Sequence, residues 1–423
     1  MINEAVILAA GQGVRMRPLT DELPKPCLPV AGKPIIHIIL EELNKIGIEK
    51  VVIVTHYMEN VLKETINGKA KSLGMSVEYA RQEGILGTAD ALVRASEKLE
   101  SDKFIVYYAD IIVSSDMLRN IMHAHPDNCT CTLAVTEVDD PTKFGVVKVD
   151  REMNVVDIVE KPSFSDVKTI FAGIYVGTSS LIDYARETEP SPRGEKEITT
   201  AFLKAIKTGK IVKAFCIPFE SWIHIGYPWD LLYANERLMK KFTGRKPMIK
   251  GKVEKRVMLR GFVYVGENTI IRSGAYIEGP VWIGDNCDIG PNCYIRPFTC
   301  IYDNCRIGNA CEIKNSIIFE GSHIAHLSYV GDSIIGRDCN LGAGTITANL
   351  RFDDKTVKVN IKGEIIDSGR RKLGVIMGHH VKTGINVSLM PGVKVGSRSW
   401  IYPHIVIYRD IPSNAKVKSD VLP

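Results

Sequence analysis

The chain has 423 residues, a charged fraction of 24% and a formal net charge of +5. That length exceeds what one hydrophobic core serves and predicts two or three domains, with the composition of an ordinary globular protein. So small a positive excess does not suggest a nucleic-acid binder, which usually shows a concentrated basic face.

At the N-terminus an apolar run of six residues, 5–10, follows Glu4. It is too short and wrongly flanked for a signal peptide, and no apolar run nears the length of a membrane span. The expected compartment is the cytoplasm, where thiols stay reduced. The ten cysteines form no Cys-x-x-Cys pair, so zinc-ribbon and thioredoxin-like readings start weak.

Up to about residue 240, apolar strand patterns alternate with amphipathic helical ones. Strands are expected at 4–10, 50–56, 103–110 and 131–138, and helices at 34–47, 88–99 and 197–209. This alternation predicts an α/β, Rossmann-like domain with a largely parallel sheet, over residues 1–245. A further helix, 228–244, is expected to close it, with Gly244 at its end.

The chemistry of this half begins in "LAAGQGVRMRPLTDELPKPCLPVAGKPII", residues 8–36. Gly11 and Gly13 let backbone N–H groups approach phosphates closely. Arg15 and Lys25 place two cations beside the same loop, and phosphates in transfer need such neutralisation. No Gly-Lys-Ser/Thr follows, so the string is not a P-loop. It resembles the sugar-1-phosphate nucleotidyltransferases, over nearly the whole N-terminal half. That resemblance implies that Leu8, Ala10, Gly11 and Gly13 hold a nucleoside triphosphate. A sugar phosphate then attacks the α-phosphorus in line, pyrophosphate leaves, and no covalent enzyme intermediate forms. It gives Arg15 the leaving pyrophosphate and Lys25 the reacting phosphates. Gln82, Gly87 and Thr88, in "RQEGILGTADA", fall on base-contacting positions in the form of the uridylyl-transferring branch. Asp110, ending "YYAD", falls on a Mg²⁺ position. Gly145 of "FGVV", Glu160 and Lys161 of "EKP" and Gly173 of "AGIY" fall on sugar-binding segments. One position departs from the pattern. His224, in "SWIHIGYPWD", stands where the family has an acid or Asn that supplies a second metal contact. Imidazole is a poor Mg²⁺ ligand. A direct metal contact, or a hydrogen bond to metal-bound water or phosphate, both remain open, and Asp230 is an acid six residues on.

After residue 245 the helical signal stops and a six-residue period begins. Val253, Leu259, Val265, Ile271, Ile277, Ile283, Ile289, Ile295, Ile301, Ile307 and Ile313 form an unbroken series of eleven. Four residues after each comes a small or β-branched residue, and Gly, Asp and Asn crowd between. Such hexads predict a parallel β-helix over 246–423, with aliphatics stacked inward and Gly or Asn at the corners. It resembles the left-handed β-helix of hexapeptide acyltransferases. Cys287, Cys293, Cys305, Cys311 and Cys339 occupy the small-residue slot and read as buried apolar residues. Cys300 is one position late and has no assignment. The period slips by one near Ile318 and Val330, and is lost between Asn349 and Gly374. The insert at 350–374 holds seven basic residues against four acidic. A solvated hairpin and an anion-binding arm over a site both fit it.

A β-helix that only assembles subunits has no use for polar residues off the hexad. "IAHLSYVGDSIIGRDCNLGAGTITANL" carries His326, Tyr329 and Asn340, with Gly342, Ala343 and Gly344 beside them. This half is similar to the acetyltransferase domain of the bifunctional N-acetylglucosamine-1-phosphate uridyltransferase / glucosamine-1-phosphate N-acetyltransferase family, in its archaeal form. The resemblance implies that His326 takes the proton from a sugar amine attacking the acetyl-CoA thioester, a role suited to imidazole. It puts the sugar phosphate on Arg296, Lys314, Tyr329, Asn340 and Lys355, gives Asn349 the amine, and sets Ala343 beside acetyl-CoA. Arg296 and Lys314 each follow the hexad aliphatic, where Gly or a small polar residue is commoner, which marks an outward cationic patch. Lys358 and the run Arg370 to Lys372 are further candidates for CoA phosphates or the sugar site.

The expected protein is a cytoplasmic enzyme whose expected partners are small molecules alone: UTP, an amino-sugar-1-phosphate and acetyl-CoA, with Mg²⁺. No nucleic acid or membrane partner is expected, and a homotrimer built through the β-helix is. One rival is a UTP- or dTTP-dependent glucose-1-phosphate nucleotidyltransferase with a purely structural β-helix. Another is a non-catalytic regulatory subunit with both domain types, which Arg15, Lys25 and Asp110 oppose and His224 mildly favours.

Overall fold

The structure is a computed structural model that describes residues 2–84 and 86–418. It divides into two compact units, each discontinuous in sequence. The first holds residues 1–12, 24–27 and 35–224, and the second holds 13–23, 28–34 and 225–423.

The first unit is built on a 9-stranded sheet. Glu4–Leu8 lies centrally, paired in parallel with Lys50–Thr55 and Lys103–Tyr108. Its side chains are buried almost throughout, as a strand covered on both faces requires. The helices expected at 34–47, 88–99 and 197–209 are Ile35–Asn44, Thr88–Ser96 and Ile198–Lys207. The sheet is more mixed than the alternation implies. Thr169–Thr178 runs antiparallel to Lys103–Tyr108 and to Cys131–Glu137. The hairpin pairing of Gly145–Val149 with Val155–Glu160 is antiparallel as well. The helix Glu59–Leu73 was not expected. It buries only Leu62, Ile66 and Ala70, so its apolar stripe is thin against a polar composition.

The second unit carries the hexads. Its short strands fall into three parallel sheets of 8, 9 and 8 strands, each strand pairing with its equivalent in the next coil, with the two strands of the insert standing outside this order. Ile277, Ile295 and Ile313 stack in direct register, one coil apart. Each such aliphatic is fully buried, and burying one contributes about 1.5–3 kcal/mol. Corners fall three residues after the aliphatic, where Asn286, Asn292 and Asn304 hold positive φ. Asn tolerates that region better than most residues. The period slips are corners one residue short. Ile301 registers with Ile318 and Ile318 with Ile335, each seventeen residues on. Asn315 and Asp332 make these corners, at φ 45° and 49°. The insert forms a hairpin, Lys358–Ile361 against Glu364–Asp367. One face of it is buried, through Val357, Val359 and Ile361.

The helix Asp230–Lys240 belongs to this second unit rather than closing the first. It also accounts for Cys300. Being one position late, Cys300 points out of the coil, yet it is fully buried. Its Sγ lies 3.1 Å from Asn235 Oδ1 and 3.4 Å from Met239 Sδ of that helix. The five in-phase cysteines all sit in the β-helix core. Burial pushes the thiols of Cys293, Cys300 and Cys339 up to about 12. Native titration with a thiol reagent is therefore expected to find ~1 fast-reacting cysteine, because thiolate is the reacting form. That residue is Cys216, exposed although partial burial raises its pKa. The other nine are expected to react only on unfolding, and a second fast thiol within the β-helix would contradict the packing.

Candidate active sites

In the first unit, Lys25 and Asp110 meet. Lys25 Nζ lies 2.6 Å from Asp110 Oδ2, with both side chains largely shielded. Asp110 lies in the turn two residues beyond the strand Lys103–Tyr108, and Lys25 opens a 3₁₀ turn. His224 joins them through strand pairing, opposite Ile111. Its Nε2 is 3.9 Å from the same Asp110 oxygen, beyond a hydrogen bond. The ring is held in place by stacking on Trp222 at 5.4 Å and by the edge of Phe144 at 5.3 Å. Asp230 belongs to the second unit, where its Oδ2 accepts from the N–H groups of Gly226 and Tyr227. Among the described residues no group of three or more His, Cys, Asp or Glu could hold a metal alone. One carboxylate beside a lysine fits a nucleotide-borne Mg²⁺, which draws most of its oxygens from phosphates and water.

The segment expected to contact the base is tightly anchored. Gln82 is buried, and its Nε2 donates to Gly87 O at 3.1 Å and to Asp90 Oδ2 at 2.8 Å. Gly87 sits at φ +102°, and a Cβ there would come within 2.4 Å of Lys196 O. No other residue fits that position without moving the backbone. Thr88 Oγ1 accepts from the Ile198 N–H at 2.9 Å. Leu8 ends the central strand, Ala10 is buried, and Gly11 is exposed just beyond.

Gly145 and Glu160 are direct register partners, and Lys161 N–H donates to Phe144 O. Glu160 Oε2 accepts from Thr199 Oγ1 at 3.1 Å, and its carboxylate lies 3.4 Å from Lys161 and 3.8 Å from Arg193. Thr199 and Arg193 were not legible as members of this group. Gly173 holds φ +76° at a register shift in its strand, and a Cβ would lie 2.3 Å from Ile111. Gly13 and Arg15 lie in the second unit, where the Arg15 guanidinium sits 5.4 Å over the Tyr227 ring.

In the second unit the two shortened corners converge on Asp332, a carboxylate only 2% exposed. Lys314 Nζ is 2.8 Å from its Oδ2, and Asn349 Nδ2 is 2.5 Å from the same oxygen. Asn315 Nδ2 donates to Oδ1 at 2.8 Å. Asn349 Nδ2 also lies 3.1 Å from Tyr329 Oη. Burial, and then the Asp332 charge, push the Tyr329 phenol upward. From the insert, Arg370 reaches in to Glu236 at 2.8 Å and stands 3.9 Å from Asp332. Arg371 instead pairs with exposed Asp354, and Lys358 and Lys372 point to solvent. Arg296 pairs with Glu312 at 2.8 Å, and Glu312 is the register neighbour of Tyr329.

The other expected residues are not drawn into this knot. His326 ends the strand His323–His326 and is exposed, and its ring has no hydrogen bond among the described residues. Asn340 is exposed beside His323 on a different face from Tyr329. Ala343 is half-buried, and Lys355 is exposed in the insert.

The nucleotidyl transferase family matches residues 4–241, and the GMPPB C-terminal domain matches residues 277–383. "Bifunctional protein GlmU" of Methanocaldococcus jannaschii is 42% identical over 414 residues, covering 98% of this chain and 97% of its own. That of Methanococcus maripaludis strain C7 is 44% identical over 422 residues, covering 99% and 98%. A "bifunctional sugar-1-phosphate nucleotidylyltransferase/acetyltransferase" of Sulfurisphaera tokodaii is 39% identical over 410 residues, covering 96% and 98%. Among solved structures, a UDP-glucose pyrophosphorylase complexed with UDP-glucose superposes with a TM-score of 0.51 at 25% identity, covering 57% of this chain and all of the other. With relatives matched end to end, and with a Lys–Asp corner in one unit and a polar knot in the other, this chain belongs to the bifunctional GlmU family and joins a nucleotidyltransferase to an acetyltransferase.

Proposed function

We propose that the β-helix unit acetylates glucosamine-1-phosphate with acetyl-CoA, and that the α/β unit couples the product to UTP. Pyrophosphate and UDP-N-acetylglucosamine are released. The observation that carries this reading is the knot on Asp332. A β-helix that only assembles subunits gains nothing from burying a carboxylate against Lys314, Asn315 and Asn349. Buried charge is costly unless paired, so such a group marks a site.

In the acetyl step the sugar amine attacks the thioester carbonyl, His326 accepts its proton, and the CoA thiolate leaves. Asn349, fixed by Asp332, orients the amine beside Tyr329. Arg296, Lys314, Tyr329, Asn340 and Lys355 take the sugar phosphate, and Ala343 lies beside the acetyl-CoA. That His326, Asn340 and Lys355 stand apart from the knot in one chain is what a site shared between subunits requires. Exposed Trp400, Tyr402, Val406 and Tyr408 supply apolar surface for such a homotrimer.

In the uridylyl step Gln82, Gly87 and Thr88 hold the base, with Leu8, Ala10, Gly11 and Gly13 along the nucleotide. Gly145, Glu160, Lys161 and Gly173 hold the sugar. Lys25 neutralises the reacting phosphates and Arg15 the departing pyrophosphate, the electrostatic work that in-line phosphoryl chemistry needs. Asp110 would hold a Mg²⁺ carried in with the nucleotide, and the ion would supply further neutralisation of phosphate charge. Lys25, paired with Asp110, stands beside that position to neutralise the reacting phosphates. His224 would hydrogen-bond a metal-bound water or a phosphate rather than ligate the metal. Among the described residues no helix is long and apolar enough to cross a membrane, and we assign the enzyme to the cytoplasm.

A substrate matrix tests the reading. Glucosamine-, galactosamine- and glucose-1-phosphate are offered with acetyl-CoA, and their acetylated or plain forms with UTP or dTTP. The expected result is CoA release with glucosamine-1-phosphate and pyrophosphate release with its acetylated form and UTP. Pyrophosphate release with glucose-1-phosphate, and no CoA release with any amino sugar, would establish the rival with a structural β-helix.

A further inference from the structure

Residues 13–23 carry Arg15, and they pack within the second unit on the last coils of the β-helix. His379 is the main contact. It is fully buried, and its Nε2 lies 2.9 Å from Leu19 O. Its Nδ1 accepts from the Arg337 backbone N–H at 3.0 Å. A nitrogen that accepts carries no proton, so the proton sits on Nε2 and Nε2 donates to Leu19.

The hexad pattern shows why this histidine is unusual. Its slot is the second residue after the inward aliphatic, here Met377. At that slot in other coils, Asp285 Oδ1 caps the Glu267 N–H at 2.7 Å, and Asp303 Oδ1 caps the Asp285 N–H at 2.8 Å. His379 Nδ1 makes the same coil-to-coil cap. An aspartate would do this equally well, but it has no proton to donate outward. The imidazole adds a donor on its far side, and that donor is spent on the segment bearing Arg15.

Neighbouring contacts hold the same segment. Glu22 lies 2.9 Å from both His380 and Arg398. Asp21 Oδ2 accepts from Ser413 Oγ at 3.1 Å. Gly378 lies against Pro18, where a Cβ would come within 3.0 Å of the proline Cβ. Within the segment, Thr20 Oγ1 donates to Gly13 O at 2.9 Å.

We propose that His379 is a positioning residue for uridylyl transfer: through Leu19 it fixes residues 13–23, and so fixes Arg15 for the triphosphate. This rests on the assignment of Arg15 given above.

Two substitutions separate the halves of the imidazole. His379→Asn keeps an acceptor near Nδ1 and loses the reach to Leu19. His379→Gln keeps a donor near Nε2 and gives up the coil cap. The expected result for His379→Asn is a tenfold or greater fall in kcat/KM for UTP, with KM raised. His379→Gln is expected to stay within threefold of the parent enzyme. Acetyl transfer, which reports on the β-helix, is expected to stay within twofold in both. His379→Asn at parental uridylyl activity would overturn the proposal, as would equal loss of both activities in the two variants. The surface variant His380→Ala/Arg398→Ala leaves the buried cap intact and loosens Glu22. It is expected to lower kcat/KM for UTP three- to fivefold, and no fall would overturn the proposal even if the His379 variants do not fold. Arg15→Ala is run beside them. Full uridylyl activity there would overturn the role of Arg15 itself, whereas loss there with parental activity in His379→Asn would overturn only the present inference.

Discussion

His326→Ala is expected to lower acetyl transfer by roughly 10²–10⁴-fold, the usual contribution of a positioned general base. Uridylyl transfer and thermal stability are expected to stay at parental values. The stability expectation follows from the placement of the side chain. The ring is exposed at the end of its strand and has no hydrogen bond among the described residues, so truncation strands no buried partner. The backbone does the structural work, since His326 O accepts from Gly344 N–H and from Ser328 Oγ. Alanine keeps both bonds. A coupled assay for CoA release, run beside pyrophosphate release on the same preparation, separates the outcomes. Parental CoA release would remove His326 from the mechanism.

How much of this was legible in the sequence depends on how each signal is written. The β-helix was plain because every coil repeats it, and Ile277, Ile295 and Ile313 register as their spacing requires. The Lys25–Asp110 pair was legible as two motif positions, although 85 residues separate them. Asp332 was not. Asn and Asp stand at many corners of this β-helix, and Asp338 holds a similar φ of 51° with an exposed side chain. A corner aspartate on the surface and one at the centre of a site look alike in a single sequence. The one available signal was the shortened spacing from Val330 to Ile335, which marked the place without naming the residue. Cys300 was legible only as an anomaly, because the helix that buries it lies some sixty residues earlier. The hold of His379 on Leu19 spans 360 residues and no periodicity announces it.

Asp332→Ala is expected to cost about 3–5 kcal/mol of stability and to abolish acetyl transfer, the cost being that of leaving a buried cation without its partner. Lys314 is 19% exposed at its side chain, with Asp332 at 2.8 Å. Arg370 stands nearby and retains Glu236 at 2.8 Å, so the stranded charge is that of Lys314. Asn315 and Asn349 each lose an acceptor as well, which adds to the loss. The two effects separate in a double variant. Replacing both partners with apolar residues of similar volume commonly restores stability, because two desolvation costs vanish together. Lys314→Met/Asp332→Leu is therefore expected to recover most of the lost stability in a denaturant titration. Acetyl transfer is expected to stay absent, since in the proposed site Asn349 loses the acceptor that orients it and position 314 loses the charge proposed to meet the sugar phosphate. Uridylyl transfer is the internal control in both variants. Recovery of acetyl transfer together with stability would show that Asp332 only holds the corner, and the site would then have to be sought away from the two shortened coils.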